Sequence, residues 1–93
     1  MPRLTQDQIV KNLTDLADWS QEENHISKIF QFKDFAEALA FVNKIGAEAE
    51  MLDHHPDIFI HSWNKVKITL STHSEGGITE KDFQLAEKIE RLK

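Results

Sequence analysis

Two adjacent histidines followed by a proline form the densest group of reactive side chains in this chain of 93 residues. His54 and His55 precede Pro56, and the carboxylates of Glu50 and Asp53 lie just upstream of them. Because a proline disfavours helical geometry for the residue before it, we expect the histidine pair to lie at an exposed junction between two elements. An imidazole has a pKa of about 6.5 and can therefore both give and take a proton near neutral pH. The cluster predicts a site for acid–base chemistry.

A third histidine lies near the end of the last predicted strand. Alternation groups the His73 side chain with those of Thr69 and Ser71, on the polar face of the sheet. Two glycines and the start of a helix follow it, and the free N–H groups at a helix start can hold an electronegative ligand atom. Trp63 could supply a flat apolar surface for a planar ring. We therefore expect this region to form one wall of a pocket.

Each of these residues also has an interpretation that involves no chemistry. Glu50 falls at the border of an apolar helical stripe, where a solvated carboxylate is ordinary. Asp82 is the third residue after a predicted threonine cap, where an acidic side chain bonds back to the helix start. Trp63 fits the core or a subunit interface equally well. We interpret the remaining histidines, His25 and His61, as structural or surface residues.

Hydrophobic spacing predicts the elements that position these side chains. Apolar residues recur with helical spacing in three segments and alternate in two blocks, which is typical of strand pairs. The predicted elements are a helix over 5–17, a strand pair within 19–32, a helix over 34–52, two strands over 57–62 and 65–72, and a helix over 79–92, with N-caps at Thr5, Asp34 and Thr79. The order α-β-β-α-β-β-α predicts an α+β two-layer sandwich, in which a four-stranded antiparallel sheet carries the helices on its apolar face.

Composition narrows the class of protein. The absence of cysteine excludes a disulfide framework or a thiolate metal site and favours a reducing, cytoplasmic environment. The formal charge of −5 argues against a binder of nucleic-acid phosphates, and we find neither a signal peptide nor an apolar segment that could span a bilayer. A chain of 93 residues fits one domain, 1–93, and gains stability from pairing with another subunit. Small molecules and other proteins are the expected partners.

The spacing of the candidate residues resembles the signature of a known enzyme family. The matching positions, in chain order, are Glu50, His54, His55, Pro56, Trp63, His73 and Asp82. This pattern is similar to that of the pterin-4a-carbinolamine dehydratases, also called 4a-hydroxytetrahydrobiopterin dehydratases. The similarity extends over nearly the whole chain, because the family's order of elements agrees with the order predicted above.

The resemblance implies a fold, an assembly and a reaction. Members have a four-stranded antiparallel sheet with helices on one face, and they form dimers or dimers of dimers. They remove water from a 4a-hydroxytetrahydropterin, which is left when an aromatic amino acid hydroxylase has used its cofactor, and they produce quinonoid dihydropterin. No metal or organic cofactor takes part. For this chain the resemblance implies a pterin substrate and a functional link to such a hydroxylase.

The resemblance also assigns residues to the active site. His54 and His73 would form the acid–base pair, and His55 would orient the substrate. A general acid would assist the departure of hydroxide from C4a, and a general base would take the N5 proton. The other implied positions are Asp53, Ser71, Thr72 and Ser74 as residues that line the pterin site, and Glu50, Trp63 and Asp82 as residues that support it.

Two positions depart from the family pattern. Six residues separate Pro56 from Trp63, whereas many members have five and a tyrosine at the aromatic position, so we expect a β-bulge in this strand. Ser74 stands where animal members tend to have a carboxylate, which bears on the details of substrate contact. Neither departure touches the three histidines.

Two other functions fit the same residues. Three histidines are enough for a catalytic zinc site with an open position for water, which would make the chain a metal-dependent hydrolase or lyase. A non-catalytic dimerisation or coactivator module on the same fold is the second alternative, because animal relatives also bind a homeodomain transcription factor. The intact histidines favour the dehydratase.

Overall fold

The computed structural model describes residues 2–93, and its elements follow the predicted order. They are α1 (Gln6–Leu13), β1 (Ser20–Glu22), β2 (His25–Gln31), α2 (Phe35–Leu52), β3 (Asp57–His61), β4 (Lys65–Leu70) and α3 (Glu80–Leu92), with a 3₁₀ turn (His73–Glu75) before α3. The strands form one antiparallel sheet in the order β1-β2-β4-β3. The predicted fold class, a four-stranded antiparallel sheet with helices on one face, is confirmed.

One face of the sheet carries the core, because alternate residues of β2 and β4 point toward the helices. Ile26 pairs with Leu70 and Phe30 pairs with Val66, and all four side chains are buried. Full burial of an aliphatic or aromatic side chain contributes about 1.5–3 kcal/mol. The helices complete this core with Ile9, Phe41, Ile45, Leu85 and Ile89.

All three predicted N-caps are formed. Thr5 and Thr79 each close a capping box with the side chain three positions on, and the Asp34 carboxylate accepts the backbone N–H of Glu37 at 2.8 Å. Each cap contributes about 1 kcal/mol. In the part of the chain from residue 2 to residue 93, no helix combines the length and the apolar character needed to cross a membrane.

The first helix is shorter than predicted and ends at Leu13 instead of residue 17. The N–H groups of Thr14, Asp15 and Leu16 bond to carbonyl groups three residues back, which tightens this segment into turns. The Thr14 hydroxyl also bonds to the Lys11 carbonyl at 2.6 Å and competes with the helical pattern. Leu16 is nevertheless buried, so the apolar spacing over 5–17 reports core contact and not a continuous helix.

The predicted bulge in β3 is wrong, and both strands of this hairpin end earlier than expected. β3 and β4 pair in an unbroken register up to His61, which lies opposite Lys65, and β4 ends at Leu70 instead of residue 72. The additional residue lies in the turn, where Ser62 and Trp63 adopt positive φ angles of 51° and 56°. Two successive positive φ angles suit the right-handed twist of an antiparallel pair, so the turn absorbs the insertion without disturbing the strands.

An ion pair between a buried lysine and a half-buried glutamate, the Lys28–Glu90 cluster, joins β2 to α3. Lys28 Nζ lies 2.7 Å from Glu90 Oε2 and donates to the Ala17 carbonyl at 3.0 Å. Trp19 Nε1 donates to the same carboxylate oxygen at 2.9 Å. Burial acts to raise the pKa of Glu90, but the hydrogen bonds that its carboxylate accepts outweigh this effect and lower the pKa. The cluster therefore holds an ionised carboxylate against the edge of the core.

The helices α2 and α3 run antiparallel across the apolar face. Lys88 in the middle of α3 lies 3.5 Å from Glu48 in α2, and Asp82 in the first turn of α3 contacts His54, just after α2. The C-terminal end of α2 therefore lies beside the N-terminal end of α3. This juxtaposition brings the first candidate histidine to a helix that is distant in sequence.

Candidate active site

The turn after α2 directs the first histidine toward α3. α2 ends at Leu52, and Asp53 adopts left-handed backbone geometry with φ 50° and ψ 44°. The N–H of Asp53 reaches the Glu50 carbonyl at 3.2 Å and that of His54 reaches the Ala49 carbonyl at 3.1 Å, the pattern of a Schellman C-cap. Glycine is usual in this conformation, and aspartate is among the few other residues that adopt it. The reversal turns His54 away from the axis of α2.

His54 and Asp82 form a buried pair between the ends of α2 and α3. The His54 Nε2 and Asp82 Oδ1 atoms are 2.5 Å apart. The Asp82 side chain is fully buried, and 9% of the His54 side chain is exposed. A short hydrogen bond to a carboxylate is about twice as strong as one between neutral groups. The pair is therefore a rigid contact that fixes the plane and the direction of the imidazole ring.

Two further donors hold the Asp82 carboxylate, and together these residues form what we call the Asp82 network: His54, Thr72, Thr79 and Asp82. The Thr72 hydroxyl donates to Oδ2 at 3.0 Å, and the Thr79 backbone N–H donates to the same oxygen at 2.9 Å. The two threonine hydroxyl oxygens are 2.7 Å apart. Because an unpaired buried carboxylate would be costly, these donors explain how the fold accommodates Asp82.

The second ring nitrogen of His54 is open. Within residues 2–93, Nδ1 has no hydrogen-bond partner, and no fully buried side-chain nitrogen or oxygen lacks one, so Nδ1 is accessible to solvent. When Nε2 donates to Asp82, Nδ1 carries the lone pair. An imidazole with one nitrogen on a buried carboxylate and the other open can take a proton from a bound molecule.

His55 meets a different carboxylate, on the surface. Its Nε2 contacts the carboxylate of Glu50, one helical turn back in α2, and both side chains are exposed. An exposed pair of this kind contributes about 0–1 kcal/mol to stability. The contact can nevertheless restrict the orientation of the His55 ring.

His73 is exposed on the 3₁₀ turn before α3. It does not continue the alternation of β4, because that strand ends at Leu70. The backbones of Thr72 and Gly77 bond to each other in both directions, at 2.8 and 3.3 Å, and close the loop between them, which Gly76 completes with a φ of 68°. Since Thr72 also bonds to the buried carboxylate, the loop that carries His73 is anchored to the same network as His54.

Trp63 lies at the other end of the β3–β4 hairpin. The five residues of β3, at about 3.3 Å each, separate its turn from Pro56 by roughly 16 Å. Its side chain is 62% exposed. Within one chain, the structure therefore does not bring Trp63 together with the histidines. The predicted lining residues do lie in the segments that flank the histidines: Asp53 and Ser74 exposed, Ser71 half-buried and Thr72 buried.

The tris-histidine metal site is not assembled in the described chain. Within residues 2–93, no three His, Cys, Asp or Glu side chains are grouped so that they could hold a metal ion. The physical reason is visible at the pair itself, because His54 and His55 engage two different carboxylates, one buried and one exposed.

Sequence reasoning treated Thr79 only as a helix cap and missed its place in the site. The signal was present at Thr72. Alternation along β4 puts Thr72 on the same side as Ile68 and Leu70, and a hydroxyl on the core side of a sheet must find a polar partner. That partner, Asp82, sits three residues after the cap, which brings the Thr79 hydroxyl within reach.

The family model of pterin 4 alpha carbinolamine dehydratase matches residues 2–92. This chain belongs to that family. A relative from Sulfolobus acidocaldarius that bears the name pterin-4-alpha-carbinolamine dehydratase is 47% identical over 90 residues, which cover 97% of this chain and 98% of the relative. One with the same name from Picosynechococcus is 49% identical over 90 residues, 97% of each chain. The predicted membership of this family of hydro-lyases is confirmed.

Two solved structures are similar in fold. A transcriptional coactivator/pterin dehydratase from Brucella melitensis superposes with a TM-score of 0.92 and 39% identity over 97% of each chain. A pterin dehydratase-like protein identified as a RuBisCO assembly factor in the alpha-carboxysome superposes with a TM-score of 0.64 and 24% identity, covering 80% of this chain and 84% of its own. The second likeness concerns the fold alone.

Proposed function

We propose that this chain catalyses the dehydration of a 4a-hydroxytetrahydropterin to quinonoid dihydropterin and water. The observation that carries the proposal is the buried His54–Asp82 pair with the open Nδ1 atom. Family membership and the names of the relatives support the pterin as the substrate class. The reaction needs one proton given and one proton taken, which matches the chemistry of paired imidazoles.

His54 is the general base in this proposal. Its Nε2 donates to Asp82, so its Nδ1 is the atom that takes the N5 proton of the substrate. The imidazole then becomes positively charged, and the carboxylate 2.5 Å away stabilises that charge. Positioned proton transfer of this kind typically contributes ~10²–10⁴-fold to the rate.

His73 is the proposed general acid. It gives a proton to the hydroxyl group on C4a, which leaves as water while the double bond between C4a and N5 forms. Because His73 is exposed on its turn, it can regain a proton from solvent, and His54 releases its proton there after the product leaves. His55, held by Glu50, is proposed to orient the pterin.

The polar residues that flank the histidines are proposed to line the pterin site: Asp53, Ser71, Thr72 and Ser74. The Thr72 hydroxyl is engaged by Asp82 and its backbone by Gly77 and Glu75, so Thr72 would support the site from behind and not bond to the substrate. Trp63, at the far end of the hairpin, could act only across a subunit boundary.

We also propose that the chain works as a homodimer or a dimer of dimers in the cytoplasm, next to an aromatic amino acid hydroxylase that supplies the substrate. The exposed apolar side chains of Phe35 and Leu39, one turn apart on α2, support self-association, because adjacent exposed apolar side chains mark interfaces. Sedimentation of the wild type and of Leu39→Glu tests this, and equal monomeric mass for both would contradict it.

Turnover of freshly generated 4a-hydroxytetrahydropterin by chelator-treated protein tests the reaction. We expect the wild type to accelerate the dehydration, followed by absorbance in a stopped-flow instrument, and His54→Ala combined with His73→Ala to abolish the acceleration. The matched control is His25→Ala combined with His61→Ala, which removes two histidines outside the site and should keep the wild-type rate. Equal rates for the wild type and the first double variant would overturn the proposal.

The two alternatives predict other outcomes of the same experiment. Activity that disappears on chelation and returns with stoichiometric zinc would favour a metal-dependent hydrolase or lyase. No turnover, together with a stable protein partner, would favour a dimerisation or coactivator module; the Brucella relative is named both a transcriptional coactivator and a pterin dehydratase. The His54–Asp82 pair favours the metal-independent dehydratase, because the carboxylate occupies Nε2 of His54 and leaves Nδ1 open for a proton.

A further inference from the structure

We propose that Thr72 is a positioning residue that acts through Asp82 to fix the orientation and the tautomer of His54. The inference rests on the proposed function, because the orientation of His54 matters to the rate only if His54 is the base. No hydrogen bond joins Thr72 to His54; the Thr72 hydroxyl bonds to Oδ2 of Asp82, whereas His54 bonds to Oδ1.

The hydroxyl groups behind Asp82 form a chain with a single direction. The Thr72 hydroxyl has one proton, and it donates that proton to Asp82 at 3.0 Å. The Thr79 hydroxyl, 2.7 Å away, must therefore donate to Thr72, and its own oxygen accepts the N–H of Lys81 at 3.3 Å. Hydrogen bonds that run in one direction polarise and strengthen one another. The chain therefore ends with its strongest donor on the carboxylate.

This chain locks the carboxylate in one rotamer. Thr72 and the Thr79 N–H both hold Oδ2, so Oδ1 is left to face the imidazole. Thr72, Thr79 and Asp82 are all buried, so solvent cannot substitute for a lost donor. Without the Thr72 hydroxyl, the carboxylate keeps only one contact on Oδ2 and can rotate, and the partner that holds the proton on His54 Nε2 is no longer fixed.

The matched pair Thr72→Val and Thr72→Ser separates the hydroxyl from the shape of the side chain. Loss of a hydrogen bond to a charged group corresponds to roughly a 10- to 100-fold effect, so we expect Thr72→Val to lower kcat by about that factor with KM within about threefold. Thr72→Ser, which keeps the hydroxyl, should keep kcat within about threefold. Thr69→Val is the control, because Thr69 lies on the open face of β4, outside the Asp82 network.

Nitrogen NMR of the histidine rings gives a readout that does not depend on turnover. In the wild type and in Thr72→Ser we expect His54 to show a protonated Nε2 and an unprotonated Nδ1, and in Thr72→Val a mixture of tautomers. A further test needs only the wild-type chain. We expect the hydroxyl proton of Thr72 to exchange slowly with solvent, and this measurement remains decisive if Thr72→Val does not fold.

The outcomes separate this inference from the proposed function. A wild-type chain without turnover but with the expected NMR signals would overturn the reaction and support the positioning of His54. Equal losses of kcat in Thr72→Val and Thr72→Ser, a wild-type tautomer in Thr72→Val, or a Thr72 hydroxyl proton that exchanges freely would overturn the positioning role.

Discussion

A carboxylate near each end of α3 pairs with a buried partner, Lys28 at one end and His54 at the other, and the two sites differ in what they leave open. At the C-terminal end, the Lys28–Glu90 cluster surrounds both charges: Lys28 Nζ contacts Glu90, a backbone carbonyl and, at 4.7 Å from its centroid, the ring of Phe30. At the N-terminal end, the Asp82 carboxylate is fully buried and hydrogen-bonded on both oxygens, but its partner His54 keeps one ring nitrogen open. The first site therefore has no polar atom left for a substrate, whereas the second has one.

This difference distinguishes an ion pair that only joins elements from the pair that we propose as catalytic. A buried pair whose polar atoms are all engaged ties elements together and has no atom left for a substrate. A buried carboxylate that holds an imidazole from behind leaves the ring able to accept a proton, which is the requirement for a general base. The comparison therefore predicts that mutations at the two sites change different properties.

Asp82→Asn should have the largest effect, which we expect to be a loss of activity. Asparagine keeps the size of the side chain and one acceptor oxygen, but its amide nitrogen cannot accept the proton of His54 or of Thr72. We expect kcat to fall by about 100-fold or more. Stopped-flow turnover measures kcat, and a thermal melt of the same sample measures stability. A wild-type rate would contradict the proposal that Asp82 supports catalysis through His54.

Glu90→Gln should instead lower stability and leave activity nearly unchanged. The Lys28 side chain is only 7% exposed, and in this variant it is left without its anion. We therefore expect the free energy of unfolding to fall by about 2 kcal/mol and Tm to fall by roughly 10 °C. The kcat value should stay within about twofold. Adding Lys28→Met to Glu90→Gln removes the unpaired charge and should recover most of the loss; a double variant less stable than Glu90→Gln would contradict this explanation.

The difference in the free energy of unfolding between the wild type and Glu90→Gln should disappear at acidic pH. The pKa of Glu90 is lowered from its ordinary value of 4.5, so its contribution is complete above that value and disappears as the pH falls through the lowered pKa. Chemical denaturation at a series of pH values gives the free energy of unfolding of both chains. A difference that stays constant down to the most acidic conditions would mean that the carboxylate charge is not what stabilises the cluster.

Substitutions at Asp53 should have the smallest effect, and it should be on stability. They test whether the turn after α2 carries backbone strain. Because Asp53 has a φ of 50°, Asp53→Ala should be about 1 kcal/mol less stable than Asp53→Gly. Asp53→Gly should be close to the wild type in thermal melts. If alanine and glycine are equally stable, the left-handed turn does not carry the strain that we assign to it.

Local patterns predicted much of the fold because caps and hydrophobic periods act over a few residues. The caps at Thr5, Asp34 and Thr79 and the order of elements are confirmed. The errors lie where two local solutions compete. The segment after Leu13 keeps helical apolar spacing yet turns, and the insertion before Trp63 enters the turn and not the strand.

The candidate site was less predictable than the fold. Resemblance to the family supplied the set of residues, and alternation indicates that the Thr72 hydroxyl needs a buried partner, but neither identifies Asp82 as that partner or brings Thr79 to it. Such contacts depend on how β4 and α3 are brought together, which is a property of packing and not of any short segment.

Local patterns along the chain specify the elements, their caps and the presence of three histidines near two helix ends. The carboxylate that each histidine meets depends on how the elements pack. His54 and His55 are neighbours in the chain, yet one reaches a buried aspartate 28 residues away and the other a surface glutamate five residues back. The physical reason is the left-handed turn at Asp53 together with the antiparallel packing of α2 on α3, because long-range contacts follow from packing and not from local propensity.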